Sequence, residues 1–325
     1  EHIAALAEME GRGLGQTGGE QAAIYIAEKF ETYGLRPGWA QSQYLYKREV
    51  HLVHPLTQPK LTLLNPDGSP RRTFRHQLDF GYTIAGHGGS GQAEAPLVFV
   101  GFPRDPQAPD WEEFKGLDLR NQIVLLIDSN APQSFVTEAQ IRGARGVIWI
   151  AADNPATIRS QNQLAAPELM YLQNPTLPVF RVREAVGREL LSLDNLAVAD
   201  LLVPPEQPRQ SGSGWFTRPL QAAARLSLSL SEPRASEIPS ILGFLPGSDF
   251  QIANELIVLF TSYDGLGIDP DGTIYPAANE SAAGVGLLLE MARLWQEQDL
   301  NPRRTVLFVV WGGGQLEDPG ARSFL

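Results

Sequence analysis

At 325 residues, 43% hydrophobic and 19% charged, the chain has the make-up of an ordinary globular protein, with room for two domains of about 100–200 residues each. Its formal net charge of −11 repels phosphate backbones, which sets nucleic acid aside as a partner. The absence of cysteine removes disulfides, Cys-held zinc and thiol catalysis, and no apolar run approaches the roughly 20 residues of a membrane span.

Residues 18–35 predict an amphipathic helix: Ala23, Ile26, Ala27, Phe30 and Tyr33 recur at spacings of three and four. Gly34 suits a left-handed C′ position and Pro37 prevents continuation. No strand precedes this helix, so its apolar face is expected on a sheet formed later in the chain. Residues 44–53 and 60–64 read as strands, with a turn at Asn65-Pro66-Asp67-Gly68. From about residue 94 to 203 the order is that of a compact α/β module. Strands are expected at 96–101, 122–128, 146–150 and 177–182, with helices at 136–145 and 184–193, and the continuous apolar runs suit strands buried on both faces. Residues 204–214, rich in Pro, Gln, Gly and Ser, read as a linker.

Beyond the linker come strands at 224–231, 241–245 (closed by Pro246-Gly247-Ser248) and 255–262, a helix at 281–296 and a buried strand at 305–311. Val285, Leu288, Leu289, Ala292 and Trp295 form the inward stripe of that helix. This is the order of a doubly wound α/β core, which holds ligands at the C-terminal ends of its strands. Three such ends carry polar residues: Thr261-Ser262-Tyr263-Asp264, Trp311-Gly312-Gly313-Gly314-Gln315, and the loop Tyr275-Pro276-Ala277-Ala278-Asn279-Glu280-Ser281 where the helix begins.

Several pieces in that order resemble one family. They are Glu10-Gly11-Arg12-Gly13 with residues 19–35, Leu245-Pro246-Gly247-Ser248-Asp249, Ser262-Tyr263-Asp264, residues 271–276, Ala283-Gly284-Val285, residues 287–293 and residues 303–308. Together they are similar to the zinc-dependent aminopeptidases, a family that includes bacterial leucyl aminopeptidases, glutamate carboxypeptidase and the transferrin receptor. The middle module resembles the protease-associated domain inserted in many members. The resemblance covers nearly the whole chain. It implies an α/β fold with a doubly wound, mostly parallel sheet of zinc-aminopeptidase type, made by residues 1–92 and 205–325, and a smaller inserted α/β domain at 93–204. It also implies an extracytoplasmic protein, in keeping with a chain that opens on Glu1 rather than Met.

The chemistry of that family needs two zinc ions held by His and carboxylates, with a free Glu taking a proton from the bridging water. Compared position by position, this chain departs from that set. Ser262 stands where the family has a His ligand, and a neutral hydroxyl is a poor zinc ligand. Asp264, which orients that His, is kept. The bridging Asp is Glu280, longer by one methylene, and its usual Asn neighbour is Ser281. The Glu pair, base then ligand, is Gly314 and Gln315; no gap is needed up to Gly320, so the pair has not slid to Glu317. No catalytic residue is intact on this reading, and Asp264 and Glu280 are the residual metal candidates. Zinc is the cofactor only if the family's activity survives; the remaining carboxylates also suit a hard cation such as calcium. Two further family ligands, an Asp and a His, belong beyond Leu325, as in an N-terminal piece of a longer protein.

Plainer roles stand beside these. His51 and His54, three apart on a strand, point to opposite faces and do not share a metal. His76 and His87 sit alone in loop-like stretches. Glu280 serves as a helix N-terminal acid, and Asp264 as a hydrogen-bond acceptor for a backbone turn. Ser262 lacks both a following His and a nucleophile elbow. Gly312-Gly313-Gly314 lacks the Lys-Ser/Thr of a phosphate loop and fills space vacated by side chains. Asn279-Glu280-Ser281 has the form of a glycosylation sequon. Two functions follow: a non-catalytic member whose cleft or inserted domain binds a peptide or protein, and, as the alternative, an active metallo-aminopeptidase whose unusual ligand set is completed beyond Leu325.

Overall fold

The computed structural model describes residues 1–38, 43–84, 88–101, 118–127, 134–151, 163–164, 177–202 and 216–314. In chain order the elements are α1 (His2–Ala7), α2 (Thr17–Thr32), β1 (Arg36–Pro37), β2 (Leu45–Val53), β3 (Lys60–Leu64), β4 (Pro70–Thr73), β5 (Phe80–Tyr82), β6 (Gly91–Gly101), β7 (Ile123–Ile127), α3 (Ser134–Ile141), β8 (Gly146–Ile150), β9 (Gln163–Leu164), β10 (Val179–Val182), α4 (Glu184–Leu190), α5 (Val198–Leu202), β11 (Phe216–Leu228), β12 (Arg234–Leu245), β13 (Leu256–Ser262), β14 (Gly267–Ile268), β15 (Ile274–Tyr275), α6 (Ala283–Glu297) and β16 (Thr305–Trp311). The chain divides into two compact units, residues 1–53 with 233–325 and residues 54–232. The second unit starts earlier than residues 93–204 because β3, β4 and β5 pair within its sheet, and ends later because β11 does.

Unit 1 is α/β, with its sheet ordered β13-β16-β12-β2 and β1 beside β12. Parallel pairing, expected to dominate, is confined among the described residues to β13 and β16; β12 runs antiparallel to β16, β2 and β1. β12 is longer than residues 241–245 because its first half, which carries Pro239, pairs with β2 alone. A strand with one neighbour tolerates the missing N–H of proline. One face of the sheet, through Ile241, Val306, Phe308 and Val310, packs against Leu6 of α1, Ile26 and Phe30 of α2, and Val285 and Leu289 of α6. The helix predicted to wait for a later sheet has found it. Its glycines Gly18 and Gly19 lie so close to the backbone of Met9 and Gly13 that an added Cβ would come within 2.2 and 2.4 Å of their carbonyl oxygens. β13, an apolar run that reads as doubly buried, instead leaves Leu256, Ile257, Val258 and Phe260 exposed, since β16 is its one neighbour among the described residues.

Unit 2 is built on a sheet ordered β4-β3-β11-β6-β7-β8-β10-β5. Its centre, β6-β7-β8-β10, is parallel and the flanks are antiparallel. The continuous apolar strands β7 and β8 are buried as expected, with α3 packed on Val124, Leu126, Val147 and Trp149 through Phe135, Val136 and Ala139. The 204–214 linker lies outside the described residues. Among the described residues no helix is long and apolar enough to cross a membrane.

Candidate functional site

The register of the parallel pair sets the geometry of the site. Ser262 at the end of β13 lies opposite Trp311 at the end of β16, so Tyr263-Asp264 and Gly312-Gly313-Gly314 leave the sheet side by side. Tyr263 N–H donates to the Trp311 carbonyl at 3.2 Å. Gly313 then takes φ 98°, a left-handed value that glycine alone reaches readily. The resulting turn aims two successive backbone N–H groups, of Gly313 and Gly314, at Oδ1 of Asp264, 3.0 and 2.9 Å away. Asp264 is fully buried. The glycine loop is thus an anion-binding loop of a local kind: its anion is a carboxylate of its own chain.

Ser262 and Gly314 also meet. A Cβ built on Gly314 would lie 2.4 Å from Cβ and 2.5 Å from Oγ of Ser262, and 3.5 Å from Asp264 Oδ1. No side chain fits at 314 unless the Ser262 strand end or the loop shifts, since a Cβ so close to the backbone cannot swing away. Glycine here is therefore required by packing as well as lacking a proton acceptor.

Arg12 holds the remaining loop. It lies in a 3-10 turn, Glu10–Arg12, whose three residues all have positive φ, and its side chain is fully buried. Nε donates to the Tyr263 carbonyl (2.8 Å). One terminal nitrogen donates to the carbonyls of Leu6 and Pro276, the latter at 3.1 Å. The other donates to the Ala277 carbonyl and to Ser281 Oγ, both at 3.0 Å. All five N–H groups of the guanidinium are matched. Burial pushes this guanidinium below its ordinary pKa, and the negative charge of Asp264 opposes the shift. Ser281 passes its own proton towards the Tyr263 carbonyl at 3.3 Å. The Tyr263 hydroxyl donates to the Pro239 carbonyl at 3.2 Å, and burial, then Asp264, raises that phenol well above the usual range.

Close backbone approach makes this clamp possible. A Cβ on Gly11 would come within 2.4 Å of the Tyr275 carbonyl oxygen, and one on Gly265 within 2.4 Å of the Gly11 carbonyl oxygen. Ala277 adopts a left-handed φ of 48° just before a single π-helical turn, Ala278–Ala282, that leads into α6. Left-handed non-glycine residues and π-turns both carry strain that surrounding contacts must offset, and the Arg12 bonds to Pro276, Ala277 and Ser281 supply those contacts. Gln16 adds a two-way link, Nε2 to the Ile268 carbonyl (3.1 Å) and Ile268 N–H to Oε1 (2.9 Å).

The structure thus brings Ser262, Asp264 and Gly314 together. Glu280 sits on the π-turn with an exposed side chain, and Gln315 lies outside the described residues, as does His87. His76 is buried between Phe80 and Tyr82, in a structural role, and His54 meets Ser231 Oγ at 3.1 Å. Among the described residues no group of three or more His, Asp or Glu side chains converges as metal donors. With Asp264 Oδ1 accepting two backbone N–H groups and a hydroxyl at 262, these donors do not fit a zinc pair. Arg12 was legible only as part of a glycine-flanked motif; an arginine between glycines, where the backbone must turn sharply, is the signal that pointed to it.

Comparison with known proteins bears on this site. Residues 241–324, which contain β13, the π-turn, α6 and the glycine loop, match Peptidase family M28. Transferrin receptor protein 2 of Mus musculus is 23% identical over 339 residues, covering 92% of this chain and 39% of that protein. The chain thus resembles the aminopeptidase and transferrin-receptor-like family. Transferrin receptor protein 2 of Rattus norvegicus is 25% identical over 340 residues, again 92% of this chain and 39% of that protein, so the chain spans about two fifths of these curated relatives. Two solved members have the same fold. An aminopeptidase from Aneurinibacillus sp. strain AM-1 superposes with a TM-score of 0.58 at 17% identity, over 99% of this chain and 64% of its own. A Peptidase M28 precursor from Shewanella amazonensis SB2B gives 0.60 at 14%, over 99% and 65%.

Proposed function

We propose that this member of the M28-type family binds a peptide or protein and does not hydrolyse it. The carrying observation is the Asp264–glycine loop: the carboxylate is buried and occupied by two backbone N–H groups, and Gly314, at the position of the family's base, has no room for a Cβ beside Ser262. A general base contributes about 10²–10⁴-fold to such a reaction, and a residue without a proton acceptor contributes none of it. The receptor named among the relatives supports a partner-binding role, and an extracytoplasmic location is part of the same proposal. The residues in question are Ser262, Gly314 and Gln315 at the positions of lost ligands and base, with Asp264 and Glu280 as the carboxylates that remain.

The alternative is a working metallo-aminopeptidase whose ligands are completed by residues that follow Leu325; the aminopeptidase fold match supports it. The two readings separate in a hydrolysis assay on the full-length protein, with a panel of aminoacyl p-nitroanilides and added zinc. The expected result is release no faster than the protein-free control. Turnover that disappears on chelation would overturn the binding role and establish the alternative.

A further inference from the structure

In unit 2, the C-terminal ends of β8 and β10 bring together three polar groups that the fold leaves unanswered. Trp149 lies opposite Arg181 in the parallel register, and the Arg181 guanidinium carbon sits 5.3 Å from the centroid of the indole ring. Alternation along extended backbone places Arg183, with φ −66° and ψ 157°, on the same side as Arg181. Its backbone N–H is used by the Asp79 carbonyl at 3.1 Å. Val147 and Val179, two residues back on each strand, are buried in the core under α3 together with Trp149, so the three side chains continue that face towards the strand ends.

Nε1 of Trp149, Nε of Arg181 and Nε of Arg183 are all buried and have no hydrogen-bond partner. Trp149 as a whole is only 2% exposed. Among the described residues neither arginine forms an ion pair. All three orphans are donors, and none can accept. Buried donors without partners are rare in native structures, and each calls for a missing acceptor. A water molecule brings donors of its own and adds no negative charge beside two guanidinium groups that have no ion-pair partner among the described residues. An oxyanion supplies acceptors only and matches the charge, and planar guanidinium is the side chain best shaped to hold one. The location agrees, since parallel α/β sheets hold ligands at the C-terminal ends of their strands. Both arginines are partly exposed, which leaves a route from solvent.

We propose that Trp149, Arg181 and Arg183 form an oxyanion site in unit 2, with Arg181 lying over the Trp149 ring and its donors and the indole N–H serving one bound group. The inference goes beyond the function proposed above and stands whether or not unit 1 hydrolyses peptides. The oxyanion has two candidate sources, a carboxylate of an acidic peptide or free inorganic phosphate.

The test is calorimetric titration of the whole protein with two probes, the peptide acetyl-Glu-Glu-Glu-amide and inorganic phosphate, each at low salt. Saturable binding of either is expected, and the one bound more tightly identifies the source. In Arg181→Lys, which keeps the charge and loses the fork, affinity for that probe should fall about tenfold or more. Trp149→Phe keeps the ring beneath Arg181 and removes only the N–H; it should fold like wild type and bind several-fold more weakly. Binding in wild type should also quench part of the tryptophan fluorescence, and that part should be absent in Trp149→Phe. The proposal is overturned if neither probe binds at millimolar concentration, or if binding is unchanged in both variants.

Discussion

The end of β13 in unit 1 and the ends of β8 and β10 in unit 2 treat buried polar groups in opposite ways. At the first, five guanidinium donors of Arg12 meet five acceptors, and Asp264 meets two backbone donors. At the second, Trp149, Arg181 and Arg183 hold donors with nothing to receive them. A place kept ready for a ligand holds groups in reserve, at a cost in stability, and a place that has become structural uses them on itself. On that contrast, the polar groups at the end of β13 are used within the chain itself, and unit 2 carries the groups proposed to take a ligand.

The largest effect should come from Arg12. Arg12→Met would take the guanidinium donors away from the carbonyls of Tyr263, Leu6, Pro276 and Ala277, and the nearby cation away from Asp264. Losing one side of a buried charge network costs about 3–5 kcal/mol, read as a lower denaturant midpoint. Arg12→Lys, with three donors in place of five, should recover only part. A loss within about 0.5 kcal/mol in Arg12→Met would break the comparison, because the strand end would then not be structural.

Asp264→Asn should come next. The amide oxygen can still accept from Gly313 and Gly314, yet the charge is gone, and charge-assisted bonds of this kind are worth about 1.5–3 kcal/mol. Gly314→Ala should cost about 1–3 kcal/mol through overpacking against Ser262. Ser262→Gly in the same chain should return much of that cost, and strict additivity in the double-mutant cycle would show that the two residues do not meet.

The smallest effect concerns a group that is satisfied and still titrates. His2 is held between the hydroxyls of Tyr25, 2.8 Å from Nδ1, and Tyr33, 3.2 Å from Nε2. Burial first, then Lys29, lowers its pKa, while Glu1 and Glu290 pull the other way. An unfolded His2 therefore takes up a proton at higher pH than the folded one. Its contribution to stability is complete above about pH 6.5 and falls as the pH drops below it. Thermal midpoints between pH 7.5 and 5 should decline less steeply in His2→Gln than in wild type.

Much of the scaffold was legible because its signals are local. β8 and β16 are unbroken apolar runs bounded by turn residues, and their limits follow from the sequence alone. The first half of β12 is different: Arg234 to Pro239 shows no alternation, contains a proline, and becomes a strand only by pairing with β2, nearly two hundred positions earlier in the chain. The same distance hid Arg12, whose acceptors at Tyr263, Pro276, Ala277 and Ser281 lie 251 to 269 residues away. At the site, residue types revealed which side chains had changed. They could not reveal that Asp264 had taken the glycine loop as its partner, or that Gly314 had closed on Ser262, because both depend on the parallel register of β13 and β16.

The central claim is that the end of β13 is occupied by its own chain. Calorimetric zinc titration of the metal-stripped, full-length protein, beside the same titration of Asp264→Asn, tests it most directly. The account predicts no tight pair of zinc sites and no difference between the two proteins. Two tightly bound zinc ions per chain, weakened by Asp264→Asn, would contradict it and return this strand end to metal chemistry.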